Sequence, residues 1–295
     1  MTVLLVLFGL VGIWTEWSAG PPIVTVTGYD YAFTAPDTIR AGTTTFRFVD
    51  KGKFDHHFIV FRLDAGVSIG DFHRLMRDGG ESPKGIASLG GLQTDKIYSR
   101  GSGANASSSA APSERDLMLD LRPGRYVLAC LHAEDGVTHL EKGMMRALTV
   151  LASPRRAPRP KFDATITMSD YAYKVSGNLA SGTRTIRLTN AGPQEHHVFI
   201  QRMRAGKLLA DIGTHRAARA KERAAKLPDS MSKLVAPMIP VTAITRMSPG
   251  EEAFITLGLI PGHYRLFCLV PDAADGKPHT EHGMDQLIAV ARAGQ

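Results

Sequence analysis

The stretch Thr25-Val-Thr-Gly-Tyr-Asp-Tyr-Ala-Phe33 returns 140 residues later as Thr165-Ile-Thr-Met-Ser-Asp-Tyr-Ala-Tyr173. Further along the chain, the same offset relates three more sets of residues: His56-His57 and His196-His197, His139 and His279, and Met144 and Met284. An offset that holds across unrelated stretches indicates duplication. The chain is therefore predicted to contain two copies of one unit.

Within each copy, apolar and polar residues alternate over short runs, as in Thr45-Phe-Arg-Phe-Val49 and Ala253-Phe-Ile-Thr-Leu257. Runs of this length that are rich in β-branched and aromatic residues and end at Gly, Pro or Asp are typical of strands. Because these strands do not alternate with helices, the sequence predicts an all-β fold of two tandem, antiparallel Greek-key β-sandwich domains. Each domain is expected to carry an insertion with a helix, over residues 69–76 and 208–226, and a low-complexity loop follows the first helix at 101–112.

The domain boundaries follow from composition. Residues 153–160 hold three prolines and three arginines, which cannot form a strand ladder, so we expect an extended, solvated linker at 153–161. The first domain is then predicted at 21–152 and the second at 162–293. Residues 1–20 combine a short apolar run with small residues. They predict a signal peptide or an N-terminal anchor, and hence a periplasmic or secreted protein.

Composition narrows the function classes. The chain has 295 residues, enough for two domains with a core each, and its 43% apolar and 21% charged residues are typical of a soluble globular protein. The net charge of +7 favours an acidic partner surface through long-range attraction. The basic residues are scattered without interleaved aromatic residues, so nucleic-acid binding is not expected.

Each copy also carries a His, followed much later by Cys, His and Met. The predicted metal ligands are His56, Cys130, His139 and Met144 in the first copy and His196, Cys268, His279 and Met284 in the second. Two imidazoles, a thiolate and a weak thioether are the ligand set of a type 1 (blue) copper site, which suits both Cu(I) and Cu(II). The sequence therefore predicts one copper ion per domain.

Only one histidine of each pair can bind the metal, because the side chains of neighbouring strand residues point to opposite faces. We favour the first member of each pair as the ligand, and expect His57 and His197 to face away and hydrogen-bond the loop. Three other residues near the motif are interpreted as follows: His132 as loop surface, Met145 as an inward-facing strand residue, and His282 as an alternative ligand or a hydrogen-bond donor to the site.

At these residues the chain resembles the cupredoxins, the family of plastocyanin and azurin. The resemblance covers the core strands of both copies and the His, Cys-His-Met order, and it leaves out the insertions. The four residues between His139 and Met144 match the plastocyanin spacing, whereas the longer Cys-to-His loops are of the size found in copper nitrite reductase. The resemblance implies a cupredoxin fold and single-electron transfer through copper.

Several alternatives stay open. The chain can instead be a copper-handling or metal-free interaction module of the cell envelope, or a two-domain copper reductase or oxidase. The enzyme requires further His ligands at a domain interface, and the sequence contains no His-x-His pair. A Cys130–Cys268 disulfide is the structural alternative to two copper sites. If His282 engages its site, the second copper is expected to have the lower potential or the more distorted spectrum.

Overall fold

The computed structural model describes residues 20–78, 83–93, 114–227 and 231–294. The first half of the chain contains eleven strands and one helix among these residues: β1 (Ile23–Tyr29), β2 (Ala32–Thr34), β3 (Thr38–Arg40), β4 (Gly42–Asp50), β5 (His57–Leu63), α1 (Ile69–Asp78), β6 (Ile86–Gln93), β7 (Glu114–Leu121), β8 (Gly124–Ala129), β9 (Ala133–Glu134), β10 (Val137–Thr138) and β11 (Met145–Leu151).

The second half repeats this order with fewer short strands. Its elements are β12 (Ala164–Ser169), β13 (Ala172–Gly177), β14 (Gly182–Asn190), β15 (His196–Met203), α2 (Leu209–Ala224), β16 (Met238–Met247), β17 (Glu252–Leu259), β18 (Gly262–Phe267), a 3-10 turn (His279–His282) and β19 (Asp285–Val290). The prediction of an all-β fold with two β-sandwich domains, each with a helical insertion, is confirmed.

The strands form two large sheets that face each other. One has eight strands in the order β13-β12-β14-β17-β7-β4-β1-β2, and the other has nine in the order β19-β18-β15-β16-β6-β5-β8-β11-β3. Most neighbours are antiparallel, as expected. Three pairs are parallel, however: β1 with β4, β12 with β14, and β11 with β3. Strands β1 and β4 are parallel because the chain crosses to the nine-stranded sheet at β3 before it returns to the eight-stranded sheet at β4.

The two halves are joined within both sheets. In the nine-stranded sheet β6 pairs with β16, and in the eight-stranded sheet β7 meets β17 at Met118 and Phe254. One continuous apolar core accordingly lies between the sheets and contains buried residues of both halves, such as Phe58 and Ile244. The alternation seen in the sequence builds this core, because Phe46 and Phe48 of β4 face it while Arg47 between them pairs with Asp116 outside.

The segment between β11 and β12, where the linker is predicted, has no helix or strand. It is nevertheless held to both halves, because Arg159 pairs with Asp120 on β7 and with Glu252 on β17. Where each domain begins and ends stays a prediction.

Both predicted helices are present. Helix α1 covers a second, smaller apolar cluster on the outer face of the nine-stranded sheet, in which Phe72 packs against Ile59 and Phe61. The predicted N-terminal signal or anchor and the 101–112 loop lie outside the described residues, apart from Gly20. Within the described part of the chain, no helix is long and apolar enough to cross a membrane.

Candidate metal centres

The fold brings the predicted site residues of each half to one end of the sandwich. His56 directly precedes β5, and Cys130 directly follows the neighbouring strand β8. His139 lies in the loop between β10 and β11, and Met144 ends that loop. The second half repeats this placement, with His196 at the start of β15, Cys268 after β18, and His279 in the 3-10 turn before Met284.

In the first half the three strong donor atoms face one another. Nδ1 of His56 lies 3.0 Å from Nδ1 of His139. Sγ of Cys130 lies 3.5 Å from Nδ1 of His139 and 4.0 Å from Nδ1 of His56. The three side chains are fully buried. This group can hold a metal ion.

The second half has the same arrangement. Nδ1 of His196 lies 3.1 Å from Nδ1 of His279, which lies 3.4 Å from Sγ of Cys268. These residues are also fully buried and likewise form a group that can hold a metal ion. Desolvation lowers the pKa of both His196 and His279, so their imidazoles are neutral and keep a lone pair for a metal.

Main-chain hydrogen bonds hold each sulfur. The N–H of His57 donates to Sγ of Cys130, and the N–H of His197 donates to Sγ of Cys268, both at 3.2 Å. Burial raises the pKa of the Cys130 thiol to about 12 and that of the Cys268 thiol to about 11. A cation at the site must supply the charge that stabilises the thiolate, because these hydrogen bonds alone leave the thiol protonated at neutral pH.

Acidic side chains hold the outer nitrogens of the imidazoles. In the first half, Nε2 of His139 lies 3.1 Å from Oε2 of Glu134, and Nε2 of His56 lies 3.4 Å from Oδ1 of Asp30. A carboxylate at Nε2 favours the tautomer with the proton on that nitrogen, which leaves Nδ1 as an acceptor facing the sulfur. Two Nδ1 lone pairs 3.0 Å apart repel unless they share a cation or a proton. This donor set therefore fits a soft metal ion such as copper.

The second half differs in this outer layer. Nε2 of His196 is close to Oδ1 of Asp170, at 2.9 Å, but Nε2 of His279 is 3.7 Å from Oδ2 of Asp272. Asp272 instead accepts hydrogen bonds from Tyr171, at 2.5 Å, and from Gln194, at 2.9 Å. His279 Nε2 has no hydrogen-bond partner among the described residues.

A tyrosine covers the outer edge of each loop histidine. The Tyr31 ring lies edge-on to the His139 ring, with centroids 5.1 Å apart, and its hydroxyl donates to Glu134. Tyr31 and Tyr171 both adopt a left-handed backbone conformation with φ of 65°, which is strained for a bulky side chain. Such strain persists only where surrounding contacts impose it, and at Tyr31 these contacts are the hydroxyl bond to Glu134 and the ring contact with His139.

Two glycines make room for the histidine–aspartate contacts. A Cβ on Gly52 would lie 2.2 Å from His56 Nε2, and one on Gly192 would lie 2.6 Å from His196 Nε2. Sequence reasoning assigned no role to these glycines, or to Asp30, Tyr31 and their counterparts. The available signal was the repeat itself, since Asp-Tyr and Gly recur at an offset of 140.

The methionines are fully buried and tied to the other site residues through the main chain. The N–H of Met144 donates to the carbonyl of His139 at 2.7 Å, and the carbonyl of Met144 accepts from the N–H of Cys130 at 3.1 Å. Met284 makes the same two bonds, to His279 at 2.9 Å and Cys268 at 3.1 Å. These bonds fix the loop ends beside the sulfur, but an axial role for either thioether stays a prediction.

The remaining histidines occupy other positions. His57 and His197 stay outside the two donor groups and contact the sulfurs through their main-chain N–H rather than through their side chains. Desolvation lowers the pKa of His57 to about 3, so its ring is neutral.

Three of the sequence interpretations need correction. His132 is half-buried rather than at the loop surface, because its ring packs between those of His57 and His139. Met145 packs against the smaller cluster beneath α1 instead of the main core. His282 lies outside the His196–Cys268–His279 group and is therefore not placed as a ligand. It bonds Asp275 at 3.1 Å, lies near Tyr171, and is grouped with Asp272, the carboxylate behind His279.

The disulfide alternative is excluded, because Cys130 and Cys268 are both free and buried.

No protein-family model and no curated protein matches the chain. Among solved structures, it is similar to a dithionite-reduced auracyanin from the photosynthetic bacterium Roseiflexus castenholzii, with 25% identity over 43% of this chain and 94% of that chain and a TM-score of 0.27. It is also similar to blue copper oxidase from Nitrosomonas europaea, with 13% identity over 93% of this chain and 86% of that chain and a TM-score of 0.25. A multicopper oxidase is similar at 12% identity over 91% of this chain and 88% of that chain, with a TM-score of 0.23.

Proposed function

We propose that the chain is an exported, tandemly duplicated copper protein that transfers single electrons through one type 1 copper site in each domain. The ligands are His56, Cys130, His139 and Met144 in one site, and His196, Cys268, His279 and Met284 in the other. The observation that carries this proposal is the twofold occurrence of a fully buried His–Cys–His group with its Nδ1 and Sγ atoms facing one another.

The surroundings of these groups suit electron transfer better than substrate chemistry. Copper bound there supplies a one-electron Cu(I)/Cu(II) couple. The donor side chains have no exposed surface, and Tyr31 covers the edge of His139, so within the described part of the chain the donors offer a substrate no exposed atom. Strands and main-chain hydrogen bonds hold the donors in place, which keeps the rearrangement between the two oxidation states small.

Copper loading followed by visible and EPR spectroscopy, with copper counted per chain, tests the proposal. We expect two copper ions per chain and an intense visible thiolate-to-copper band. The near-isosteric variants Cys130→Ser and Cys268→Ser should each lose one copper ion and the corresponding part of the band, and the double variant should lose both.

Other outcomes favour the alternatives. Tight binding of Cu(I) without the visible band would indicate a copper-handling protein. A chain that takes up no copper would be a metal-free interaction module.

The proposal extends to the partner and the compartment. We expect a redox protein with an acidic docking surface, because the net charge of +7 attracts such a surface over long range. Electron exchange with an acidic redox protein should slow as ionic strength rises, whereas exchange with a neutral small-molecule oxidant should not. An exported protein should appear in the periplasmic fraction or the medium when it is expressed with residues 1–20.

A further inference from the structure

The nine-stranded sheet connects the strands that carry the two metal centres. Phe58 on β5 pairs with Leu92 on β6, Leu92 pairs with Ile244 on β16, and Ile244 pairs with Val198 on β15. These four residues form one row that runs across the boundary between the halves. The row begins one residue after His57 and ends one residue after His197.

The residue that precedes each end of this row donates a hydrogen bond to a site sulfur. The N–H of His57 donates to Sγ of Cys130, and the N–H of His197 donates to Sγ of Cys268. The sulfur of one site is therefore linked to the sulfur of the other through two N–H···S hydrogen bonds, the strand backbones and the hydrogen-bonded ladders between the strands.

From these contacts we propose that the two centres exchange electrons directly within one molecule, along this row. The inference rests on the proposed function, since it requires copper at both sites. Neighbouring strands lie about 4.8 Å apart, so three steps place the two ends of the row about 14 Å apart across the sheet. The two sulfurs lie further apart than the ends of the row, because Cys130 follows β8 and Cys268 follows β18, the outer neighbours of β5 and β15 in this sheet.

The medium between the centres favours tunnelling. All four side chains of the row are buried, with at most 1% of their surface exposed. A dry, close-packed interior does not reorganise as solvent does when charge moves. The half-buried Arg62–Glu251 ion pair at 2.6 Å, which joins the two halves, helps to keep this part of the structure in register.

The electron balance is simple. One site loses an electron and is oxidised, the other gains it and is reduced, and no bond or proton changes place. The exchange itself needs no further reactant, and the external redox partner only sets the total number of electrons. The chain would then hold two electrons, accepting at one centre and delivering from the other.

The decisive measurement is the concentration dependence of electron equilibration after rapid partial reduction of the copper-loaded full chain. The variant Met284→Gln can be used to separate the two visible bands, because the axial ligand tunes them. We expect a first-order phase whose rate stays constant on dilution. An equimolar mixture of the full-length Cys130→Ser and Cys268→Ser chains should lose this phase and equilibrate at a rate that falls in proportion to concentration.

The route is tested separately with His57→Pro. Proline tolerates the first position of a strand but removes the N–H that holds the Cys130 sulfur, so copper per chain is counted first. In chains that keep both copper ions, the first-order phase should slow, and an unchanged rate would contradict this route. If this variant does not fold, His197→Pro tests the other end, and the dilution experiment remains decisive by itself.

Hydrogen exchange of the metal-free protein gives a readout that does not involve copper. The amides of Leu92 and Ile244 should be protected and should open together, because they belong to one sheet. Rapid, independent exchange at these positions would overturn the proposal. So would two visible bands whose equilibration always slows on dilution, whereas the absence of any visible band would contradict the proposed function instead.

Discussion

At the residue scale, the two centres differ most in the acidic group behind the loop histidine. Glu134 lies 3.1 Å from His139 Nε2, whereas Asp272 lies 3.7 Å from His279 Nε2 and is held by Tyr171 and Gln194. A carboxylate bonded to a ligand imidazole orients it and makes it a stronger donor. We therefore expect the first centre to have the lower reduction potential, since stronger donation stabilises Cu(II).

The variant Glu134→Gln tests this difference. The neutral amide should weaken copper binding at the first site by about tenfold and raise its potential. The matched change Asp272→Asn should have a smaller effect on the second site, where the contact is longer. Copper competition titrations and electrochemistry on chains with a single active site measure both quantities. Equal effects of the two substitutions would show that the distance difference is without consequence.

His282 gives a second residue-scale prediction. Its Nε2 is bonded to Asp275 and its ring lies 4.9 Å from that of Tyr171. Substitution His282→Ala should consequently leave the copper spectrum and copper stoichiometry of the second site unchanged. A shifted visible or EPR spectrum would restore the sequence-based expectation that this imidazole engages the metal and lowers the potential of the second site.

The close approach at Gly52 leads to a third prediction. A Cβ there would lie within 2.5 Å of both His56 Nε2 and Asp30 Oδ1, so Gly52→Ala must displace the contact that orients this ligand. Copper affinity at the first site should fall by about tenfold or more, with the second site unaffected. Gly70→Ala in α1 is the control, because its nearest neighbour atom is 3.7 Å away. An unaltered first site in Gly52→Ala would contradict the assigned role of Asp30.

At the scale of the elements, the two inserted helices begin differently. Helix α1 starts after Ser68, whose Oγ accepts from the N–H of Asp71 while the Asp71 carboxylate accepts from the N–H and hydroxyl of Ser68. Helix α2 starts after Leu208, where Asp211 accepts from the main-chain N–H but no side-chain acceptor caps the helix. Only the first helix thus has a reciprocal capping interaction.

These caps predict opposite effects of two substitutions. Ser68→Ala should destabilise α1 by about 1 kcal/mol, and Leu208→Ser should stabilise α2 by up to about 1 kcal/mol, because Leu208 is mostly exposed and its loss removes little packing. Hydrogen exchange of the helix amides measures both changes. Unchanged hydrogen exchange of the α2 amides in Leu208→Ser would indicate that the missing cap does not limit the stability of the start of α2.

The cap of α1 also predicts a pH dependence. Hydrogen bonds from Ser68 lower the pKa of Asp71 from its ordinary 3.8 to about 2. A carboxyl group whose pKa is lower in the folded state stabilises that state at any pH above the ordinary pKa. This stabilisation is lost as the pH falls through the pKa of the folded state. Protection of the α1 amides should therefore drop between about pH 4 and pH 2, and Asp71→Asn should remove this dependence.

At the scale of the whole molecule, the halves share both sheets and one core, so we expect them to unfold together. The variant Ile244→Ala, at a fully buried position between the halves, should lower the free energy of unfolding by about 3 kcal/mol. Calorimetry of the metal-free protein should show a single unfolding transition, and the substitution should shift this whole transition to lower temperature. Two transitions, with only one shifted by the substitution, would show that the halves fold independently.

The sequence by itself determined the parts of this protein that depend on local periodicity and on chain order. Alternating apolar residues predicted the strands, because each strand buries one face whatever its neighbour is. The repeated order of His, Cys, His and Met predicted which side chains would meet, since residues at strand ends and in the adjoining loop reach the same pole of a sandwich. Two free cysteines followed from the equivalent places they occupy in the repeat.

Only the tertiary structure decided how the two halves pair and which side chains contact the outer nitrogens of the ligand histidines. The pairing of Leu92 with Ile244 joins residues far apart in the chain, and the alternation of either strand would be the same with any other neighbour. The partners of the imidazoles, the direction of His282 and the need for Gly52 likewise depend on distances of a few tenths of an ångström between distant segments. Such distances are set by the packing of the complete core and not by any local pattern, which is why the motif could be predicted and its surroundings could not.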